Sequence, residues 1–416
     1  MRTIYGTLVL GILVSACGGG GEATKPVEAP PAPTVASAAP TTTAEPAPAA
    51  TAAPAPAKAS LQDMEKAVVT SVADALNAHD PAKFTALYAD DAVLVEAGTP
   101  EPIKGKENIQ TTTKKWLDAF PNTKFGFSRA WGKNDVVVTE WVTNGTHSGE
   151  FNGLKATEKP VGYQGLSVVW VNTDGKVKEE HRYYDVGTLL AQVGAGPKGA
   201  KARPIPALPT STEWHWSKGD AAEDKNVDLM KSAYTAFEKK DEKAFLDLNS
   251  DDIVWDDMMA PGPSKGKAEA VKMFKSMTTA FPDLKMQVAN AWGVEDFALS
   301  EVTLTGTQKG AFMGMPATKK PVNLHGVDIV QIKDGKAVKG WSYGNSIELL
   351  TQLGLIKAPG ATPPAKTDVK PAPKTDAKPA TPATKPAAPP ATKPEAKPAT
   401  PATKPEPKPA TPLPKK

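Results

Sequence analysis

The sequence predicts an α+β fold made twice: two cone-shaped domains, each a curved antiparallel sheet packed on helices, flanked by Pro/Ala-rich segments that do not fold. Three observations predict it. The 41 prolines among 416 residues crowd into Pro26–Pro56, a bridge near Pro197–Pro209 and the tail from Pro359 onward, while nearly all the Trp, Phe and Tyr lie between these stretches. The two aromatic-containing segments repeat one another. Within each repeat, helical spacing of apolar residues comes first and alternating, β-branched runs follow.

Each element can be justified in order. Copy one opens with Leu61, Met64, Val68 and Val72, and copy two with Val227, Met230, Tyr234 and Phe237, both at helical spacing. Each helix stops at an Asp, Asp80 or Asp241, and a short second helix carries Phe84 and Leu87, or Phe245 and Leu248. A short strand is expected at 92–96 and at 253–256. A third helix is expected from Gly105 to Ala119 and from Gly266 to Ala280, ended by Pro121 or Pro282. Four antiparallel strands follow, in copy one at about 124–131, 136–146, 161–172 and 176–184, with Thr173-Asp174-Gly175 as a hairpin turn. A last short helix holds Leu189 and Leu190. A sheet curved over helices in this way closes like a cone and leaves an apolar pocket at its wide end.

The repeat is a tandem duplication. Phe120-Pro121 recurs as Phe281-Pro282, Ala130-Trp131-Gly132 as Ala291-Trp292-Gly293, and Gly145-Thr146 as Gly306-Thr307. Glu140 recurs as Glu301, and Leu189-Leu190 with Gln192 and Gly194 recur as Leu349-Leu350 with Gln352 and Gly354. The expected division is a leader at 1–17, a spacer at 18–60, domains at 61–196 and 222–357 joined by a bridge at 197–221, and a tail at 358–416.

The N-terminus reads as an export signal. Arg2 precedes an apolar run from Ile4 to Val14, which is too short to span a bilayer comfortably. Val14-Ser15-Ala16 then leads into Cys17, the only cysteine of the chain, followed by four glycines. This resembles a bacterial lipobox, which implies a Cys17 that carries acyl chains such as palmitate and becomes the mature N-terminus. The expected location is the cell envelope, lipid-anchored, and the outer membrane if the cell is Gram-negative. The 18–60 spacer would then hold the domains off the membrane.

Net charge is +3, but the tail from Lys357 holds twelve lysines against four acids, a net +8 that leaves −5 for the rest. A mildly acidic folded part argues against nucleic acid as a partner. The tail is read as a solvated spacer, or as a contact to anionic polymers of the envelope. The five histidines are scattered and the single cysteine has no pair, so no metal site and no cofactor are expected.

The run Gly145-Thr146-His147-Ser148-Gly149-Glu150-Phe151, with Lys159-Pro160-Val161, resembles the central strand motif of the SnoaL-like polyketide cyclases, within the NTF2-like superfamily. Asp185 with Leu189-Leu190, Gln192 and Gly194 resembles their C-terminal motif. The likeness covers both copies. It implies a cone with an interior pocket, which would take a small hydrophobic ligand, and it implies a general acid–base role for Asp185. Two readings stand open there. Asp185 shuttles protons, partly desolvated among Tyr183, Tyr184 and Trp170, or it caps the last helix. Asn345 stands in its place in copy two, where it can cap but not shuttle and is a ligand-binding candidate.

His181, Tyr183 and Asp185 share one strand face and are candidates for one pocket wall, with Trp170 beside them. His147, whose counterpart is Gln308, is a further catalytic candidate or a rim residue. Glu140 and Glu301 are ligand-binding candidates or cross-strand partners. Trp131 and Trp292 are expected in the core. Trp214-His215-Trp216 is unusual for a free bridge and is expected to dock on a domain. The two copies are expected to pair as an intrachain pseudo-dimer.

Overall fold

The computed structural model of the chain describes residues 59–96, 99, 101–196 and 199–356. Cys17, its leader, most of the spacer and the tail lie outside the described residues. Among the described residues, no helix is long and apolar enough to cross a membrane.

Copy one runs α1 (Leu61–Asn77), α2 (Pro81–Thr85), β1 (Tyr88–Glu96), β2 (Ile103–Lys104), α3 (Lys106–Ala119), β3 (Lys124–Lys133), β4 (Val136–Thr146), β5 (Pro160–Val171), β6 (Val177–Tyr184) and α4 (Val186–Gln192). A bridge strand, β7 (Glu213–Trp216), follows. Copy two repeats the plan as α5 (Ala221–Lys239), α6 (Glu242–Asp247), β8 (Asn249–Asp257), β9 (Ser264–Lys265), α7 (Lys267–Ala280), β10 (Lys285–Val294), β11 (Phe297–Thr307), β12 (Pro321–Lys333), β13 (Lys336–Tyr343) and α8 (Ser346–Gln352).

Local chemistry sets the boundaries. The Asp80 carboxylate accepts hydrogen bonds from the N–H groups of Ala82 and Lys83, and Pro81 occupies the first helical position, where its missing donor costs nothing. Two expectations need correction. The first strand of each copy begins earlier than the sequence suggested, at Tyr88 and Asn249, because a register shift between Tyr88 and Val93 breaks the alternation that marks a strand. That strand is also parallel to its neighbour: β1 pairs with β6, and β8 with β13, in parallel, whereas the β3–β6 and β10–β13 meanders are antiparallel as read.

The sheets order as β2-β1-β6-β5-β4-β3-β7 and β10-β11-β12-β13-β8-β9. The bridge therefore belongs to the first sheet: β7 pairs with β3 in parallel, Trp214 and Trp216 stack face to face at 5.5 Å, and Lys66 of α1 lies over both rings. Gly132 makes this possible, since a Cβ there would sit 2.1 Å from the Trp216 ring.

The concave face of each sheet wraps its helices around a core of its own, with Val69, Phe84, Leu94 and Leu189 in copy one and Met230, Phe245, Phe274 and Leu349 in copy two. A third core joins the outer sheet faces. Trp131, Val138, Leu166 and Val168 of copy one meet Phe297, Leu299, Val327, Ile329 and Trp341 of copy two. Val136 to Val142 of β4 are accordingly buried on both faces, odd-numbered residues toward the helices and even-numbered ones toward the other copy. Arg129 lies 3.8 Å from the Trp341 ring across this contact. Arg203 of the bridge reaches copy two as well, donating to the carbonyls of Asp257 and Ala260 and to the Asp256 carboxylate.

Candidate functional site

A cavity of about 590 Å³ lies inside the cone of copy one. This is within the ordinary range for small-molecule sites, roughly 300–1,000 Å³. Helices α1 and α3 form one wall with Val69, Val72 and Trp116. The concave side of the sheet forms the other with Phe127, Trp141, Tyr163 and Tyr184, and the 150–153 loop borders the mouth. The walls are largely aromatic. Tyr163 and Tyr184 stack at 5.4 Å, and the Trp116 indole donates to the Tyr163 hydroxyl at 3.1 Å.

A charged network forms the floor. The Arg182 guanidinium grips Glu180 in a two-point fork, Nε to Oε1 and Nη2 to Oε2, both at 3.0 Å, and donates through Nη1 to Glu96 at 3.2 Å. Glu180 also accepts from the Tyr88 hydroxyl and from Ser167 at 2.8 Å, and Ser167 in turn accepts from the Trp141 indole. Burial alone would push the Glu180 carboxyl up, but Arg182, Tyr88 and Ser167 together hold it below the usual carboxylate range. Glu180 is therefore fixed as an anion and serves as the anchor of Arg182, not as a proton donor. Burial, and then the neighbouring Glu96, keep the Tyr184 phenol neutral.

None of the eight catalytic or ligand-binding candidates read from the sequence lines this cavity. His181, Tyr183 and Asp185 do share a strand face, but it is the face turned to copy two. His181 binds Glu301 at 2.6 Å and Glu179 at 2.9 Å, and Tyr183 donates to Glu301 at 2.8 Å. The mirror contact is present: Tyr343 donates to Glu140, which Arg129 also grips at 2.6 and 2.7 Å. Tyr183 with Glu301 and Tyr343 with Glu140 are the same pair exchanged between copies, as a two-fold contact requires. That reciprocity is the physical reason both copies keep this glutamate. Trp170 packs on His181 and Trp292 in the same contact, and Trp292 with Trp131 belongs to the joining core.

Asp185 caps α4. Its oxygens accept from the N–H of Gly187 and from the N–H and hydroxyl of Thr188, and also from the N–H and hydroxyl of Ser346 in copy two. It borders a groove of about 240 Å³ with Arg203 and Met258, outside the cone. Asn345 caps α8 in the same way, accepting from Ile347. His147 is fully buried against Phe120 and bonds Thr157 at 3.1 Å, which fastens the loop after β4, and burial lowers its basicity. Gln308 fastens the same loop in copy two through Thr318. Among the described residues no cluster of His, Cys, Asp and Glu is placed to hold a metal.

Copy two fills the corresponding floor. Trp255 stands where copy one has Leu94, and its ring lies over Gly340, the counterpart of Glu180. A Cβ at Gly340 would sit 2.2 Å from that ring. Ser342 replaces Arg182, accepts from the Trp255 indole at 3.1 Å and donates to the half-buried Asp328 at 2.6 Å. Phe237, Phe245 and Phe274 close the space behind with ring centroids 4.7–5.1 Å apart.

Sequence reasoning missed Glu96, Glu180 and Arg182. For Glu180 and Arg182 the available signal was the difference between copies; Glu96 has the acid Asp257 as its counterpart and gave none. Along the last strand, residues 180, 182 and 184 become Gly340, Ser342 and Gly344, a change of size and charge that a shared structural face would not tolerate.

The family model for SnoaL-like polyketide cyclases matches residues 66–193 and 228–353. Among solved structures, AclR from Streptomyces galilaeus is similar at 29% identity, covering 32% of this chain and 98% of its own, with a TM-score of 0.30. A protein of Jannaschia sp. CCS1 assigned as a SnoaL-like polyketide cyclase is similar at 17% identity over 34% of this chain and 99% of its own, with a TM-score of 0.32. TsrD from Streptomyces laurentii is similar at 21% identity over 33% of this chain and 98% of its own, with a TM-score of 0.30. A search of curated proteins gave no match.

Proposed function

Because the chain belongs to the SnoaL-like polyketide cyclase family through both of its copies, we propose that it is an envelope-anchored lipoprotein that binds one small hydrophobic ligand in the cone of copy one, with copy two as a filled partner domain. The observation that carries the reading is the asymmetry of the cones. Copy one has an aromatic-walled cavity of about 590 Å³ over a fixed charge network, whereas Trp255 occupies the matching floor of copy two. Burying an apolar ligand of drug size against such walls supplies roughly 25 cal/mol per Å² of apolar surface removed from water.

The full chain should bind a neutral solvatochromic dye such as Nile red at one site, and filling the cone with Val72→Trp should abolish that binding. Trp255→Leu, which restores the copy-one residue, should cost about 3 kcal/mol of stability from the lost packing and add a second site. Absence of binding to the unmodified chain, or binding unaffected by Val72→Trp, would sink the reading.

The alternative, an acid–base enzyme of the polyketide or ester cyclase type in copy one with Asp185 as proton shuttle, is supported by the family match but requires a carboxylate that accepts five hydrogen bonds to release them during turnover. The anchor is a proposal resting on Cys17 and its flanking residues. In a bacterial host, radiolabelled palmitate should appear on the chain and disappear from Cys17→Ala. Label retained by that variant refutes the anchor. We also propose that the two copies act as an intrachain pair, on the strength of the reciprocal Tyr–Glu contacts, and that the lysine-rich tail, with no aromatic residue among its twelve lysines, serves as a solvated spacer near anionic envelope polymers.

A further inference from the structure

We infer that the ligand of the copy-one cone is positively charged, its cationic group held between the Glu96 carboxylate and the aromatic wall. The inference rests on the proposed binding function and names the class of ligand. Its basis is the charge count of the inner lining. Glu180 is saturated, since both oxygens are taken by Arg182 and it also accepts from Tyr88 and Ser167. Arg182 thus balances one carboxylate, yet two stand beside it. Glu96 receives only the Nη1 donor, on Oε1, and its Oε2 has no hydrogen-bond partner among the described residues. Its side chain is 13% exposed, and it lines the cavity.

The charges at the mouth do not alter this balance. Asp118 is paired with Lys114 at 2.7 Å, and Lys115 and Glu150, which both line the cavity, offset one another in the formal count. The inner cavity is left with one formal negative charge facing rings. Burial and then Glu96 both raise the Tyr184 phenol, and Glu96 acts on Tyr163 in the same sense, so the carboxylate is felt at both hydroxyls. An anion entering here meets the Glu96 carboxylate, which Arg182 reaches through a single N–H. A neutral guest gains burial alone. A cation gains burial, the Glu96 charge in a medium of low dielectric, and the negative faces of the rings.

The test uses three probes on the full chain: phenethyltrimethylammonium, its neutral carbon isostere (3,3-dimethylbutyl)benzene, and 4-phenylbutyrate, followed by quenching of tryptophan fluorescence and by calorimetry. The cation should bind at least about tenfold more tightly than the isostere, and the anion more weakly than either. Glu96→Gln should bring the cation and isostere within about twofold of each other while leaving the isostere unchanged, which also shows that the variant is folded. Equal binding of cation and isostere by the unmodified chain overturns this inference and leaves the pocket intact. Tighter binding of the anion overturns it in favour of Arg182. Failure of all three probes to bind overturns the pocket reading itself.

Discussion

Arg182→Ala should destabilise the chain by about 3–5 kcal/mol, the cost of leaving a buried charge without its partner. The guanidinium is 20% exposed, and its main partner Glu180 only 6%. With Arg182 removed, Glu180 keeps the hydrogen bonds from Tyr88 and Ser167 but loses the cation that holds it ionised against burial. Glu96 loses its only side-chain donor at the same time. The carboxyl then takes up a proton more readily or stays charged and unpaired, and either outcome lowers stability. Urea unfolding followed by tryptophan fluorescence reads the effect directly. The paired change Arg182→Met with Glu180→Met should recover most of the loss, because an apolar pair of similar volume replaces a buried ion pair at little cost. A loss of less than about 1 kcal/mol in Arg182→Ala would place the pair among weak surface contacts and remove the charged floor from the account of the site.

Glu301→Ala should cost about 3 kcal/mol and weaken the joint between the copies more than either copy by itself. The carboxylate is 3% exposed and accepts from His181, Tyr183 and Asn290, two of them in the other copy. Calorimetry of the unmodified chain should give a single transition, and the variant two resolved ones. A single unchanged transition would show that the apolar joining core alone couples the copies.

The same joint sets a pH dependence. For His181, burial favours the neutral ring, but the hydrogen bonds and charges of Glu301 and Glu179 outweigh it and raise the group above its ordinary 6.5. Its contribution is full below 6.5 and is lost as pH rises through the raised value. For Glu301, burial acts upward, but His181, Asn290 and Tyr183 hold it below its ordinary 4.5. Its contribution is full above 4.5 and is lost as pH falls through the lowered value. The joint is therefore strongest between about 4.5 and 6.5 and loosens on the alkaline side first. His181→Gln should flatten that alkaline decline, which unfolding midpoints measured from pH 5 to 9 would show.

Several elements were legible in the sequence because they depend on neighbours along the chain. Asp80, Asp185 and Asn345 cap their helices by bonding N–H groups two or three residues away, and a cap is set within one turn of backbone. The parallel pairing of β1 was not legible, since β6 lies some ninety residues on and the bulge after Tyr88 breaks the alternation. The face of β6 that enters the cone was not legible either. Period two assigns His181, Tyr183 and Asp185 to one face and Glu180, Arg182 and Tyr184 to the other, but both faces are covered, so polarity could not choose between them.

The sequence by itself determined the two copies, their helices and the antiparallel strands of the meander, the α+β class and the family, but not the two-residue strands β2 and β9. These follow from periodicity and repetition, which are properties of neighbours in the chain. Tertiary structure alone decided which residues line the cavity of copy one. Trp255 fills one cone because it meets Gly340 across a parallel strand pair. Glu96, Glu180 and Arg182 become one network only when β1 lies beside β6. The joining of the two sheets turned every residue chosen for chemistry on the outer face into part of the joint, because a strand buried on both sides gives each face its role only through what packs against it.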